Sequence, residues 1–441
     1  MALFARAPRG FSPRSALLVV ARIALGLALG IVAIGVAAAA AMATASLAPS
    51  PYAVLGAGLL LMVVGLFATV WIATARAGLA AGSRKAAAFV AAATVSALVA
   101  TAVLRPGGSV TTAEPVPGMR FATLPTGSTI AYVRIAARRM AGGAPAPIVF
   151  LHGGPGVADM SGDLVLLRGL TETGRDLILY DQVGAGHSGR LEDPASYTVD
   201  RDVADLSALL DALGIDRAVL VAHSYGATVS AAFATSFPQR VEKFVAIAPG
   251  QIRPYQVDYG TGMVGRLTRG QQFAVYRKLL EPRALFAWLL TQVSPRAARA
   301  IAGDGEMDAR FDRLYELTYP GLYCDGRDPA SADPRVPHSL GFYTNAVRRV
   351  IPDLRPRLAR VDAPALVIKP QCDYLPWRFG ADLASALPNA KLVYVRGAGH
   401  SAYAEQHDQV LATIRAFVED RRLPVAVQPT PDPPPDLMGP T

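Results

Sequence analysis

Ala218-Val219-Leu220-Val221-Ala222-His223-Ser224-Tyr225-Gly226 passes from an apolar, β-branched-rich run through a serine into a pattern that predicts a helix over Gly226–Phe237. Strand, sharp turn and helix, with the serine at the apex, is how a chain presents a hydroxyl for attack. Such a turn carries the backbone close to neighbouring strands, so small residues are needed around the serine. Gly226 is one; Ala222, the mildest replacement for glycine, is the other. Ser224 is therefore the candidate nucleophile.

Similar short apolar runs lie on either side: Ile148–Leu151, Leu177–Tyr180, Phe244–Ala248, Ala365–Ile368 and Leu392–Val395. Helical patterns fall between several of them, at Asp202–Leu213, Trp377–Ala386 and Ala404–Val418. Arg120–Leu124 and Thr129–Ile135 flank Pro125-Thr126-Gly127 and predict a hairpin. Alternation of this kind predicts an α/β fold, a mostly parallel sheet with helices on both faces. The alternation breaks over residues 251–361, a long, largely helical, Arg-rich block between two core strands, which predicts a helical cap inserted into a core of residues 118–250 and 362–420.

A serine hydroxyl is a weak nucleophile until a base takes its proton, and strand–Ser–helix folds deliver their partners in the order Ser, acid, His. Among the six histidines, only His400 and His407 follow any suitable acid. His400 lies in a Gly-rich loop after the strand Leu392–Val395, where loops face the active site of a parallel sheet, whereas His407 falls within the next helix. Asp373 follows the strand Ala365–Ile368 at the same end; Asp362 precedes that strand and belongs to the wrong end. His152-Gly153-Gly154-Pro155-Gly156 follows Ile148–Leu151, and its glycines let backbone N–H groups turn toward an oxyanion. The N–H of Gly154, or of Gly153, together with that of Tyr225, is the expected donor set.

His152–Gly156 resembles the oxyanion signature of the proline iminopeptidases and their relatives. Asp181-Gln182-Val183-Gly184-Ala185-Gly186-His187-Ser188 is similar to that family's DQRGxGxS, with Val183 where the family usually has Arg. His223-Ser224-Tyr225-Gly226 departs from its more usual Gly-Ser-Trp-Gly elbow. The resemblance covers roughly residues 118–420. It implies the α/β-hydrolase fold, a helical cap, and cap carboxylates that bind a substrate's free amine. Glu281, Glu306, Asp308, Glu316 and Asp325 are the cap acids on offer, and the motifs assign none of them to that role. Epoxide hydrolases and haloalkane dehalogenases share the fold but use an Asp nucleophile, which Ser224 argues against.

The N-terminal quarter has a different character. Ile23–Ala45, Tyr52–Ala75 and Ala86–Leu104 are free of charge and long enough to cross a hydrocarbon core of roughly 30 Å. Residues 1–110 hold eight of the 43 basic residues and no acid, leaving 35 basic against 34 acidic residues in the remainder. The net charge of +9 thus comes from the membrane module (1–105) and gives no reason to expect nucleic-acid binding. Arg6, Arg9 and Arg14 precede the first span, and Arg76, Arg84 and Lys85 lie between the second and third. Ser46–Pro51, between the first two, carries no charge. Positive charge stays cytoplasmic, which places everything after Leu104 outside. A signal peptide cut near Ala43-Thr44-Ala45 is the rival reading, and it leaves the catalytic domain on the same side. Residues 106–117 form a Gly-, Pro- and Thr-rich linker, and the Pro-rich residues 421–441 predict a disordered tail.

Cys324 and Cys372 are the only cysteines, and an oxidising compartment permits a bridge between the cap and the loop of Asp373. On the chain-entropy model such a bridge stabilises by about 4 kcal/mol. No metal-ligand spacing or nucleotide-binding loop is present, so neither metal nor cofactor is expected. The leading reading is a membrane-anchored serine hydrolase acting by acyl-enzyme chemistry on a peptide N-terminus. An esterase- or lipase-like hydrolase of small acyl esters is the second. A non-catalytic anchored binding protein is the third, disfavoured because a scaffold needs neither the Ser, Asp, His set nor the glycines.

Overall fold

The computed structural model describes residues 13–48, 50–75, 80–108, 114–138, 145–255, 259–324, 340–347 and 350–441. Arg6, Arg9, Arg76, Asp325 and part of the expected linker lie outside them. The chain divides into two compact units, one of residues 1–106 with 285–301, the other of residues 107–284 with 302–441.

The N-terminal part of the first unit is built from α1 (Pro13–Leu47), α2 (Pro51–Ala73) and α3 (Ala81–Leu104). All three are long and apolar enough to cross a membrane, with mean hydropathies of 2.5, 2.4 and 2.2 over their most apolar windows. Small residues bring α1 and α2 together, with Met62 and Leu66 of α2 buried beside them. Ala33, Ala37, Ala41 and Ala45 repeat every four residues down one face of α1 and are all buried. Gly65 of α2 comes so close that a Cβ there would lie 2.9 Å from the Cβ of Ala33. Leu27, Ile31, Leu60 and Leu98 stay exposed on the outside. Small residues at a helix contact, with large apolar residues exposed on the outside, is an arrangement expected of helices surrounded by lipid, where close backbone approach drives association.

The second unit is built on an eight-stranded sheet: β1 (Arg120–Thr123), β2 (Thr129–Ile135), β3 (Ile148–Leu151), β4 (Leu177–Tyr180), β5 (Ala218–His223), β6 (Val241–Ile247), β7 (Ala365–Pro370) and β8 (Ala390–Val395), in the order β1-β2-β4-β3-β5-β6-β7-β8. β1 and β2 form the expected antiparallel hairpin, β2 pairs antiparallel with β4, and every later pairing is parallel. The strands buried on both faces read as continuous apolar runs for that reason. Between them come α4 (Met160–Leu167), which the sequence pattern did not reveal, α5 (Val199–Ala212) and α6 (Tyr225–Ser236). The insert between β6 and β7 is helical, as expected. It comprises α7 (Tyr259–Val264), α8 (Arg269–Leu279), α9 (Pro282–Val293), α10 (Pro295–Ile301), α11 (Asp304–Thr318), α12 (Phe342–Ala346) and α13 (Arg355–Leu358). It is not one compact block, because Leu285–Ile301 belongs to the first unit. α14 (Trp377–Ala386) joins β7 to β8. The single helix expected over Ala404–Val418 is two, α15 (Ala402–Glu405) and α16 (His407–Val418), broken at Gln406.

The expectation of a disordered tail is overturned. Val427 bridges Val393, the Gln428 N–H donates to the Leu392 carbonyl at 2.8 Å, and the indole of Trp377 donates to the Pro431 carbonyl at 2.7 Å. The N–H groups of Met438 and Gly439 both donate to the Gln371 carbonyl at 3.0 Å, and the Trp377 N–H donates to the Pro440 carbonyl. The tail therefore covers edge strand β8 and ends against the loop of Asp373, where a Cβ on Gly439 would lie 2.3 Å from the Asp373 carbonyl oxygen. Proline content misleads here for a physical reason: prolines restrict the unfolded chain, so an extended segment loses little entropy on docking and needs only a few hydrogen bonds. Shortening the chain at Leu423 removes several such bonds, each worth about 1 kcal/mol. The expected result, read by thermal unfolding, is a fall in Tm of roughly 5 °C or more; an unchanged Tm would show that the segment adds nothing to the fold.

Candidate active site

Ser224, Asp373, His400 and the Gly153–Gly154 pair each follow the C-terminal end of a parallel strand, β5, β7, β8 and β3. Ser224 follows β5, with φ 53° and ψ −119°, a conformation that costs energy in any non-glycine residue and persists only where its surroundings hold it. The holding groups are backbone. The Ser224 N–H donates to the Ile247 carbonyl at 3.0 Å, and its own carbonyl accepts from the N–H groups of Ala227 and Gly250. Gly226 is obligatory, since a Cβ there would lie 2.4 Å from the Leu151 carbonyl oxygen. Ala222, in the place of the motif's first glycine, is fully buried in register with Leu151 and Ala246, so its methyl group is accommodated.

Asp373 and His400 are brought together. The His400 ring faces the carboxylate, Nδ1 to Oδ1 at 2.7 Å, and both residues are buried. The Leu375 N–H donates to the same Oδ1 at 3.0 Å. Oδ2 belongs to Lys369, a fully buried residue of β7 whose Nζ lies 2.5 Å away and which also donates to the Leu375 carbonyl. Burial opposes ionisation of Asp373, but the charges of Lys369 and His400 outweigh it and hold the carboxyl well below the usual carboxylate range. Sequence reasoning missed Lys369; the available signal was a lysine inside the apolar strand Ala365–Pro370. His400 is tied to the elbow as well, with its carbonyl 3.0 Å from Nε2 of His223, the residue before Ser224. Burial lowers His223 to about 3, so it is a neutral donor at that carbonyl. His407 makes a different contact, its Nδ1 3.2 Å from the Tyr403 carbonyl, and lines a recess of about 380 Å³ with Arg168, Glu172 and Arg415.

The glycine loop is pressed onto the serine. A Cβ on Gly153 would lie 2.9 Å from the Ser224 Cβ and 3.1 Å from the His223 ring, so only glycine fits. Gly154 turns the chain at φ 118°, and Tyr225 opens α6, where first-turn N–H groups lack partners within the helix. His152 fixes the loop. The Gln182 N–H donates to its Nε2 at 2.9 Å, so Nδ1 carries the proton and donates to the Gly153 carbonyl. Burial lowers His152 to about 4, which preserves that neutral form. The Gln182 side chain adds a bond to the His152 carbonyl at 2.7 Å. The Asp181–Ser188 segment is thus a brace: Asp181 accepts from the His187 N–H, Ser188 Oγ donates to the Asp181 carbonyl, and Val183 is buried as an apolar residue.

Cys324 and Cys372 are joined in a disulfide, their Cα atoms 5.0 Å apart. It links the cap, a few residues beyond α11, to the residue before Asp373. Glu405 reinforces the junction by accepting from the N–H groups of Cys324 and Gly399. The cap acids are largely engaged. Glu281 pairs with Lys278 and Arg310, Glu306 with Arg283 and Arg310, and Asp308 with Arg190; Glu316 is exposed. Asp312, which sequence reasoning passed over, is buried with Oδ1 accepting from the Leu340 N–H and no hydrogen bond to Oδ2 among the described residues. Burial, then neighbouring Asp308 and Glu316, raise it to about 7 against the Leu340 hydrogen bond. Chemically, a strained serine on a strand-to-helix turn, a glycine loop pressed against it and an imidazole backed by a carboxylate are the parts needed for attack on a carbonyl carbon.

A family model for the alpha/beta hydrolase fold matches residues 146–406. Proline iminopeptidase of Heyndrickxia coagulans is 36% identical over 107 residues, 24% of this chain and 36% of that protein's length, so the chain spans about a third of it. The 2-hydroxy-6-oxononadienedioate/2-hydroxy-6-oxononatrienedioate hydrolase of Paraburkholderia phymatum is 29% identical over 274 residues, 60% of this chain and 85% of that one. The crystal structure of a proline iminopeptidase from Mycobacterium smegmatis aligns with 22% identity and a TM-score of 0.45, over 68% of this chain and 98% of that chain. The family resemblance drawn from the HGGPG and DQxGxGxS motifs is borne out.

Proposed function

The chain belongs to the α/β hydrolase fold family, and from that premise we propose that it is a membrane-anchored serine hydrolase with Ser224 as nucleophile, His400 as base and Asp373 as orienting acid. The observation that supports this reading is the 2.7 Å His400–Asp373 contact, with the His400 carbonyl 3.0 Å from the ring of His223, the residue before a serine held at φ 53°. His400 takes the Ser224 proton as Oγ attacks the substrate carbonyl carbon. The oxyanion is received by the N–H of Tyr225 together with that of Gly154 or Gly153. Return of the proton to the leaving group gives an acyl-enzyme, which water then cleaves by the same path. The three apolar helices are the membrane anchor of this reading, and the distribution of Arg and Lys supports a catalytic unit outside the cytoplasm.

Short peptides with a free N-terminus, in the manner of a proline iminopeptidase, are the first substrate class. That reading requires a carboxylate for the substrate ammonium, and Asp312 keeps one oxygen without a hydrogen bond among the described residues. Small acyl esters are the second class, favoured by the capture of Glu281, Glu306 and Asp308 in ion pairs.

One experiment addresses both location and substrate. A charged, membrane-impermeant fluorophosphonate applied to intact cells is expected to label the chain; labelling only after lysis would reverse the topology. The purified chain is then offered aminoacyl-arylamides and short acyl esters. On the peptidase reading, arylamide turnover weakens as pH falls below about 7, where Asp312 takes up a proton, and Asp312→Asn removes it while sparing ester turnover. Ester turnover with no arylamide turnover at any pH would make the ester reading the correct one.

A further inference from the structure

Resting on the triad reading above, we propose that Lys369 is a positioning residue of the triad. It occupies one oxygen of Asp373, leaves the other to His400, and by its charge keeps the Asp373–His400 pair from taking up a proton.

The geometry is specific. Lys369 is completely buried near the end of β7, four residues before Asp373. Its stem packs beneath α14, where a Cβ on Gly380 would lie 3.2 Å from Cδ. Its ammonium has two acceptors, Oδ2 of Asp373 and the carbonyl of Leu375. Both lie in the loop Asp373–Leu375, so a single cation pins that loop from below. The Leu375 N–H returns to Oδ1, closing the turn around the carboxylate. With Oδ2 engaged, the carboxylate cannot rotate to offer its other oxygen to His400. The ring of His400 is therefore held by one defined hydrogen bond, and the carbonyl bond to His223 fixes its backbone.

A buried ammonium is a costly way to orient a carboxylate, because burial itself drives Lys369 toward its neutral form. It adds what a neutral donor lacks, a positive charge close to the pair. The other groups facing the pair are Arg266, whose charge acts on Asp373; His223 and Tyr374, whose rings lie 4.7 and 4.6 Å from that of His400; and Glu405, which faces Arg266. His223 is held neutral by burial, and Glu405 offsets part of Arg266. Lys369 is thus the cation in direct contact with the carboxylate. A proton binding to the pair must overcome its field, and its removal lets the pair take up a proton at higher pH.

The test is the rate of fluorophosphonate labelling of the full chain across pH, a readout that needs no knowledge of the substrate. Lys369→Met removes both bond and charge. It is expected to label about 100-fold more slowly, as catalytic groups do when misplaced, with the acid limb of the profile moved up by about one pH unit. Lys369→Gln keeps a donor for Oδ2 and loses the charge. It is expected to stay within about tenfold of the parent while its acid limb moves as far as that of Lys369→Met. A purely structural lysine would alter the rate and leave the limb in place, so an unmoved limb overturns the proposal. If Lys369→Met does not fold, Lys369→Gln decides alone by the same criterion. Absence of labelling in the parent chain would instead overturn the triad reading, and this proposal with it.

Discussion

Replacing Ser224 with Ala is expected to lower the turnover number by about 10⁶-fold, leaving only what the oxyanion donors and substrate binding supply. The variant should fold. Alanine meets the same strain at φ 53°, and the elbow is held by backbone bonds of residues 224, 227, 247 and 250 that the substitution leaves intact. The expected change in unfolding free energy is below about 1 kcal/mol. Steady-state turnover of whichever ester or arylamide the parent accepts, measured beside a thermal melt, separates loss of the nucleophile from loss of the fold. More than about a hundredth of the parent activity in a variant free of contaminating parent enzyme would place the nucleophile elsewhere.

The second large effect belongs to Asp373→Asn, expected to cost about 10⁴-fold in turnover. The amide can present its N–H to His400, which favours the imidazole tautomer unable to accept the serine proton. The change also strips Lys369 of its counter-charge in a fully buried site, and breaking such a pair costs about 3–5 kcal/mol. The pH dependence of that loss has a definite sign. The Asp373 carboxyl is depressed in the folded state, so its stabilising contribution is complete above the unfolded carboxylate range near pH 4 and is lost as pH falls through the folded value. Denaturant unfolding of parent and variant should therefore differ most above about pH 4 and converge at lower pH. A gap independent of pH would mean that Lys369 and Asp373 are not coupled as charges.

How much of this was legible beforehand follows from how local each feature is. The elbow at Ser224 is written in nine consecutive residues, because strand, turn and helix are each specified by near neighbours. His400 and Asp373 were reached through chain order and the ends of two short apolar strands, both of which hold in the sheet. Lys369 was not, since a lysine in a strand reads equally as an exposed edge position or a buried partner, and only the loop folding back over it decides. The cap acids failed for the same reason: Glu306 and Asp308 are committed to Arg283 and Arg190, which lie 23 and 118 residues away in the chain. The ordered tail was hidden because its partners, Gln371, Trp377 and Leu392, belong to other elements, while its own composition speaks only of low helix and strand propensity. Gln182 was noted as part of a motif, but its use in fixing the tautomer of His152 emerges only from the fold.

Mass spectrometry locates the nucleophile without reference to any substrate. After reaction of the full chain with a fluorophosphonate and tryptic digestion, cleavage at Arg217 and Arg240 releases the peptide Ala218–Arg240. The phosphonyl adduct is expected on that peptide, with fragment ions assigning it to Ser224 rather than Ser230 or Ser236, and no adduct in Ser224→Ala. An adduct mapped to another residue, or an unmodified peptide from folded protein, would contradict Ser224 as the nucleophile.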